Sequence, residues 1–300
     1  MKTIFMMAAV YIVAISCNRT AMPSKTPYAN TEIKNENGNT ILAGHCSLSI
    51  MQQDPYKEWF NKSYDTYTVD TATVRQLKPL LNNITIEIFM GSWCGDSKRE
   101  VPRMIKILQT ASFDTSKLKI IFVDNSTSTY KQSPQHEEKG KNIFRVPTFI
   151  VYNADKETGR IIESPIATLE KDMLTILQHK PYTANYNAVP YWQAHAKNRT
   201  RLLNDEQLQK LAAEIKPVCK SMGTFNAYGY VLLAQKNFNE ALNVFRLNTL
   251  LYPGNAGTYD SLGEAYFTTG DKTNARKNYE KALELKPGDE HIIKMLERLQ

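Results

Sequence analysis

Residues 84–108, ITIEIFMGSWCGDSKREVPRMIKIL, change hydrophobic period partway along, and the organisation of the first half of the chain follows from that change. Ile84 to Met90 are β-formers in partial alternation, which predicts a strand with one face more buried than the other. The chain then turns through Gly91-Ser92-Trp93-Cys94-Gly95, and Val101, Met104, Ile105 and Leu108 follow at helical spacing. Cys94 is thereby placed where a strand ends and a helix begins.

Working outward, Leu118 to Val123, Pro147 to Tyr152 and Arg160 to Glu163 read as three more strands, the last two joined at hairpin length by Asn153 to Gly159. Leu169, Met173, Ile176 and Leu177 predict a closing helix with Thr168 as N-cap. Upstream, Tyr56, Trp59, Phe60, Tyr64 and Tyr67 recur at steps of three and four and read as the packed face of a helix. Thr71 or Thr73 opens a second short helix through Val74, Leu77 and Leu81. The expected domain covers residues 41–180, with a helical N-terminal extension.

These features together resemble the thioredoxin superfamily: Trp93-Cys94-Gly95-Asp96-Ser97 at a strand-to-helix junction, Pro102 eight residues after the cysteine, and Val146-Pro147-Thr148 before a strand. Residues 91–102 and the hairpin from Val146 look most like thioredoxin-like lipoproteins of Bacteroidetes-type bacteria. The resemblance implies an α/β thioredoxin-like fold, a central mixed sheet flanked by helices. It also implies a redox cysteine at Cys94 and a cis-proline at Pro147 that faces it, with Trp93, Val146 and Pro147 contacting an extended substrate peptide. Two departures matter. The second cysteine of the family's C-x-x-C motif is Ser97, which has no sulfur to resolve a mixed disulfide, and the family's buried acid six positions before the first cysteine is Ile88. A dithiol cycle within the motif is excluded. What remains is a monothiol whose thiolate is favoured by a helix N-terminus and by Lys98 and Arg99, against Asp96, with Ser97 as a hydrogen-bond donor to the sulfur.

Beyond residue 180 the character changes. Residues 181–203 carry two prolines and no clear period and read as an irregular linker, after which Asn204 and Gln207 form a capping-box signature that opens an all-helical region over 204–300. A shift of 34 residues superposes Gly229 on Gly263, Ala241 on Ala275, Phe245 on Tyr279 and Pro253 on Pro287. That period means stacked helix-turn-helix units. Tyr259, Leu262, Gly263, Tyr266, Ala275, Tyr279, Ala282 and Pro287 resemble the tetratricopeptide consensus, giving repeats at about 222–255 and 256–289. Helices over Asp205 to Ile215 and His291 to Leu299 cap the pair.

The 300 residues include 42% apolar and 22% charged, ordinary globular usage that excludes collagen-like, disulfide-scaffold and wholly disordered classes. The net charge of +7 is spread along the chain, so no basic patch marks a nucleic-acid partner. Cys17, Cys46, Cys94 and Cys219 include no C-x-x-C pair and the histidines no H-x-x-x-H pair, so neither a metal nor another cofactor is expected. Lys2 followed by the apolar run Ile4 to Ile15 predicts a signal peptide over residues 1–16. Ala14-Ile15-Ser16 before Cys17 resembles the bacterial lipoprotein processing box, with Ala14 where leucine is usual, and equally fits an ordinary cleavage site. Acylated Cys17 would anchor the protein to the cell envelope facing the periplasm through a flexible tether over 17–40. The alternative is a soluble secreted or periplasmic protein.

Two functions fit. The first is an exported thiol:disulfide oxidoreductase using Cys94 alone, its helical repeats recruiting a protein partner. The second is a non-catalytic assembly protein that binds peptides through the repeat face and the cis-proline edge. Cys46 or Cys219 would be the resolving thiol if the fold brought either to Cys94.

Overall fold

The computed structural model of the chain describes residues 29–300. The expected signal peptide, Cys17 and most of the tether lie outside the described residues. Six strands form one mixed sheet: β1 (Thr31–Lys34), β2 (Thr40–Cys46), β3 (Ile84–Met90), β4 (Leu118–Phe122), β5 (Thr148–Asn153) and β6 (Lys156–Ile162), ordered β1-β2-β4-β3-β5-β6. Central β3 pairs parallel with β4 and antiparallel with β5, and all other pairings are antiparallel. The tether expected to run to residue 40 therefore ends by Thr31, because a hairpin of the polar β1 and the largely buried β2 extends the sheet there. Asn35 holds its turn by accepting from Asn37 and Asn39 backbone N–H groups.

Alternation along β3 divides the core. Ile84, Ile86, Ile88 and Met90 join a large cluster with four helices: α1 (Lys57–Thr66), α2 (Thr71–Leu77), α3 (Gly95–Thr110) and α4 (Leu169–Leu177). Phe89 points the other way, into a smaller cluster with Ile121, Val123, Ile150 and, from the long β4–β5 connection, Ile143 and Val146. The aromatic stripe is core packing as expected, with Phe60 fully buried and stacked on Tyr64. Thr168 caps α4. For α2 the cap is Asp70, one residue before Thr71 and three before Thr73, because its carboxylate accepts from the N–H groups of Ala72 and Thr73. The β5–β6 turn is tight, Ala154 and Asp155 both at positive φ, so β6 starts four residues earlier than expected.

The region read as an irregular linker holds a helix, α5 (Ala188–His195), whose fully buried Trp192 donates to Glu240. Then come α6 (Asp205–Ile215), opened by the Asn204–Gln207 capping box, and two antiparallel pairs, α7 (Met222–Ala234) with α8 (Phe238–Leu251) and α9 (Ala256–Thr268) with α10 (Lys272–Leu285). A last helix, α11 (Glu290–Glu297), closes the stack. Within each pair the small and aromatic residues meet as the repeat demands: a Cβ on Gly229 would lie 2.5 Å from the Phe245 ring, and one on Gly263 2.8 Å from the Tyr279 ring. The chain is thus a thioredoxin-like α/β unit followed by a helical repeat domain. Phe144 and Ile162 of the α/β unit insert into the apolar cluster of α5 to α9, so the two parts share a core. Among the described residues no helix is long and apolar enough to cross a membrane.

Candidate functional site at Cys94

The C-terminal end of β3 opens onto a turn in which the Cys94 N–H donates to Gly91 O, 3.0 Å. Gly91 has to be glycine, since a Cβ there would lie 2.5 Å from the Trp93 ring. Trp93 is fixed by its indole N–H, which donates to Val123 O at 2.9 Å. Cys94 is the N-cap residue of α3, in extended conformation, so it stands beside the first turn's unpaired backbone N–H groups. Its Sγ lies 3.3 Å from Val146 O, to which the thiol donates. The Val146–Pro147 peptide is cis. Trp93-Cys94 and Val146-Pro147 thus converge from two separate segments, while Pro102 is buried inside α3.

The motif's other residues do different things from those expected. Ser97 is fully buried and its hydroxyl accepts from Gly91 N–H at 3.2 Å. Among the described residues no hydrogen bond joins it to the Cys94 sulfur; the bond it makes, accepting from Gly91 N–H, closes the turn. Arg99 is taken up by carboxylates, donating to Asp96 at 2.6 Å and Glu100 at 2.7 Å, and those bonds raise its pKa. Lys98 remains half-buried on α3.

Other charged groups, absent from the sequence reading, surround the thiol. The β4–β5 connection is organised by Asp124, whose carboxylate accepts from Asn125 N, Ser126 N, Ser126 Oγ and Thr129 Oγ1 at 2.6 to 3.0 Å. That arrangement, with Lys131 N–H donating to Asp124 O, turns Tyr130 and Lys131 inward. Lys131 is 4% exposed, and its ammonium lies 4.8 Å from the Trp93 ring centroid and 4.5 Å from that of Tyr130. Burial pushes the Lys131 ammonium down to about 8, with Arg145 acting the same way and Cys94 and Glu163 opposing. Arg145, next to Val146, pairs with Glu163 at 3.0 Å, donates to Gly223 O of α7 at 2.6 Å, and lies over the Tyr186 ring. Tyr186 also donates to Glu163. The signal that would have found Arg145 in the sequence is its position next to Val146-Pro147; nothing in the polar run STSTYKQS marks Lys131 as buried.

Neither Cys46 nor Cys219, the thiols available as resolving partners, joins the site. Cys46 is buried in the main core, where burial pushes its thiol up to about 11, and Cys219 is buried in the helical core with Tyr252 donating to its backbone oxygen. All three described cysteines are free. Among the described residues no three His, Cys, Asp or Glu side chains converge as metal ligands. Two clefts of about 540 and 570 Å³ flank the seam between the α/β unit and the helices, and Cys94 lines neither.

Residues 47–175 match the family model described as thioredoxin, and residues 256–289 that described as tetratricopeptide repeat. A solved structure of the first tetratricopeptide domain of Spaghetti (RPAP3), bound to the HSP90 peptide SRMEEVD, matches at 18% identity over 38% of this chain and 86% of its own, with a TM-score of 0.27. No curated protein matches the chain.

Proposed function

Because this chain joins a thioredoxin-like domain to a tetratricopeptide-type helical repeat, we propose that it is a monothiol exchange protein, Cys94 exchanging with disulfides of protein substrates and the helices recruiting a protein partner. The observation that carries this reading is Cys94 itself: half-buried at the N-terminus of a 16-residue helix, its sulfur 3.3 Å from the carbonyl next to a cis-proline. Helix N-termini favour thiolates, and only the thiolate attacks disulfides. In the forward step the Cys94 sulfur bonds to one sulfur of the substrate disulfide, the S–S bond breaks, and the other sulfur leaves as a thiolate that takes a proton from water. An external thiol then attacks the mixed disulfide and frees Cys94, since Ser97 has no sulfur to offer and Cys46 and Cys219 lie in other cores.

Ser97→Cys should therefore let the adduct resolve within the motif and create dithiol reductase activity, while Cys94→Ser abolishes all exchange. Retained exchange in Cys94→Ser would overturn the reading and leave a peptide-binding scaffold. The sequence before the described residues supports an envelope location through acylated Cys17; membrane partitioning that survives Cys17→Ser would refute that part.

A further inference from the structure

Lys131 is the charged group of the site that the expected chemistry leaves unused. Burying a lysine is costly unless something compensates the charge. Here no hydrogen bond or ion pair among the described residues reaches the Lys131 ammonium, whose nitrogen keeps only a thin contact with solvent; its contacts within the protein are the faces of Trp93 and Tyr130. Such contacts offset only part of the cost of desolvation. The neighbouring charges do not supply the remainder. Glu163 is already bonded by Arg145 and Tyr186, and on α3 Asp96 is bonded by Arg99. Arg145 is itself a cation and opposes protonation of Lys131. The phenol of Tyr130 is kept neutral by burial, which raises its pKa. Among these groups the one able to furnish a negative charge is the sulfur of Cys94, one residue from the Trp93 ring on which the ammonium rests.

Resting on the monothiol reading above, we infer that Lys131 is the fixed counter-ion of the Cys94 thiolate, an electrostatic positioning residue of the exchange site that takes the place usually left to charges on the helix. The thiol proton passes to water when the pair forms, and the buried ammonium stays where it is. Attack on a disulfide then removes the negative charge from Cys94, and the departing thiolate is formed within the same field. Lys131 thus favours both the attacking and the leaving sulfur anion.

The test is the rate of iodoacetamide alkylation of Cys94 against pH, followed by peptide mass spectrometry on the full protein. An opposite charge close to a titrating group moves its titration by about one to three pH units, so in Lys131→Met the midpoint should move up by about one unit or more, while Lys131→Arg keeps it near the parent value. Lys131→Gln, read in the same way, serves if the methionine variant fails to fold. Superimposable profiles for parent and Met or Gln variants overturn the counter-ion. A parent protein that forms no mixed disulfide, yet whose profile moves on Lys131→Met, overturns the exchange reading and leaves the counter-ion standing.

Discussion

Keeping an ammonium beneath two aromatic rings has a consequence for stability with a defined sign. Burial holds Lys131 at about 8 in the folded protein, against 10.5 for the free side chain. Below the folded value both states carry the charge and the folded one bears the whole cost; as pH rises from 8 towards 10.5 the cost fades, because the folded state loses its proton first. Lys131→Met should therefore stabilise the protein at neutral pH by on the order of 3 kcal/mol, and the gain should shrink near pH 10. Urea unfolding at the two pH values checks this, and an equal increment at both would contradict it. At this scale the sequence exposed part of the site. Trp93, Cys94 and Pro147 were legible because a strand-to-helix junction and a proline before a strand are local patterns. Lys131 was not, because its burial depends on Asp124 folding a polar loop across the sheet end, which no periodicity announces. The same limit made Arg99 look available to the thiol when nearer carboxylates occupy it, and hid that Ser97 accepts from Gly91 N–H to close the turn.

Between elements, the helical repeats follow most directly from sequence, since each unit needs a small residue opposite an aromatic one and the 34-residue shift displays both. Ala275 is fully buried beside Tyr279, Ala282, Ile292 and Met295. Ala275→Leu should overpack that contact and cost about 1 to 3 kcal/mol, lowering the melting temperature; an unchanged melting temperature would mean the helix pair is not packed as described. Legibility fell where elements are polar or short. Strand β1, TEIK, alternates half-buried and exposed residues at the sheet edge, where charge is what keeps strands from pairing with other chains, so its composition reads as a tether. Helix α5 hides behind Pro190 and a run of aromatic and asparagine residues; its place is set by Trp192, whose partner Glu240 lies 48 residues on.

Over the whole molecule, the thiol site and the repeat are parts of one construction. Phe144, two residues before Val146, meets Tyr186 and Tyr228 edge-on, and Arg145 reaches the first turn of α7. The segment that presents the cis-proline to Cys94 is therefore clamped by the helices. Shared packing of this kind was invisible in sequence, which displays each domain's own period and not the faces where domains meet. That Cys94 exchanges as a single thiol can be read from the intact mass of the protein after exposure to a peptide disulfide at neutral pH. One peptide adduct per chain, mapped to Cys94, should form and persist until an external thiol is added; no adduct at Cys94, or one that clears without added thiol, would rule out a single exchanging thiol.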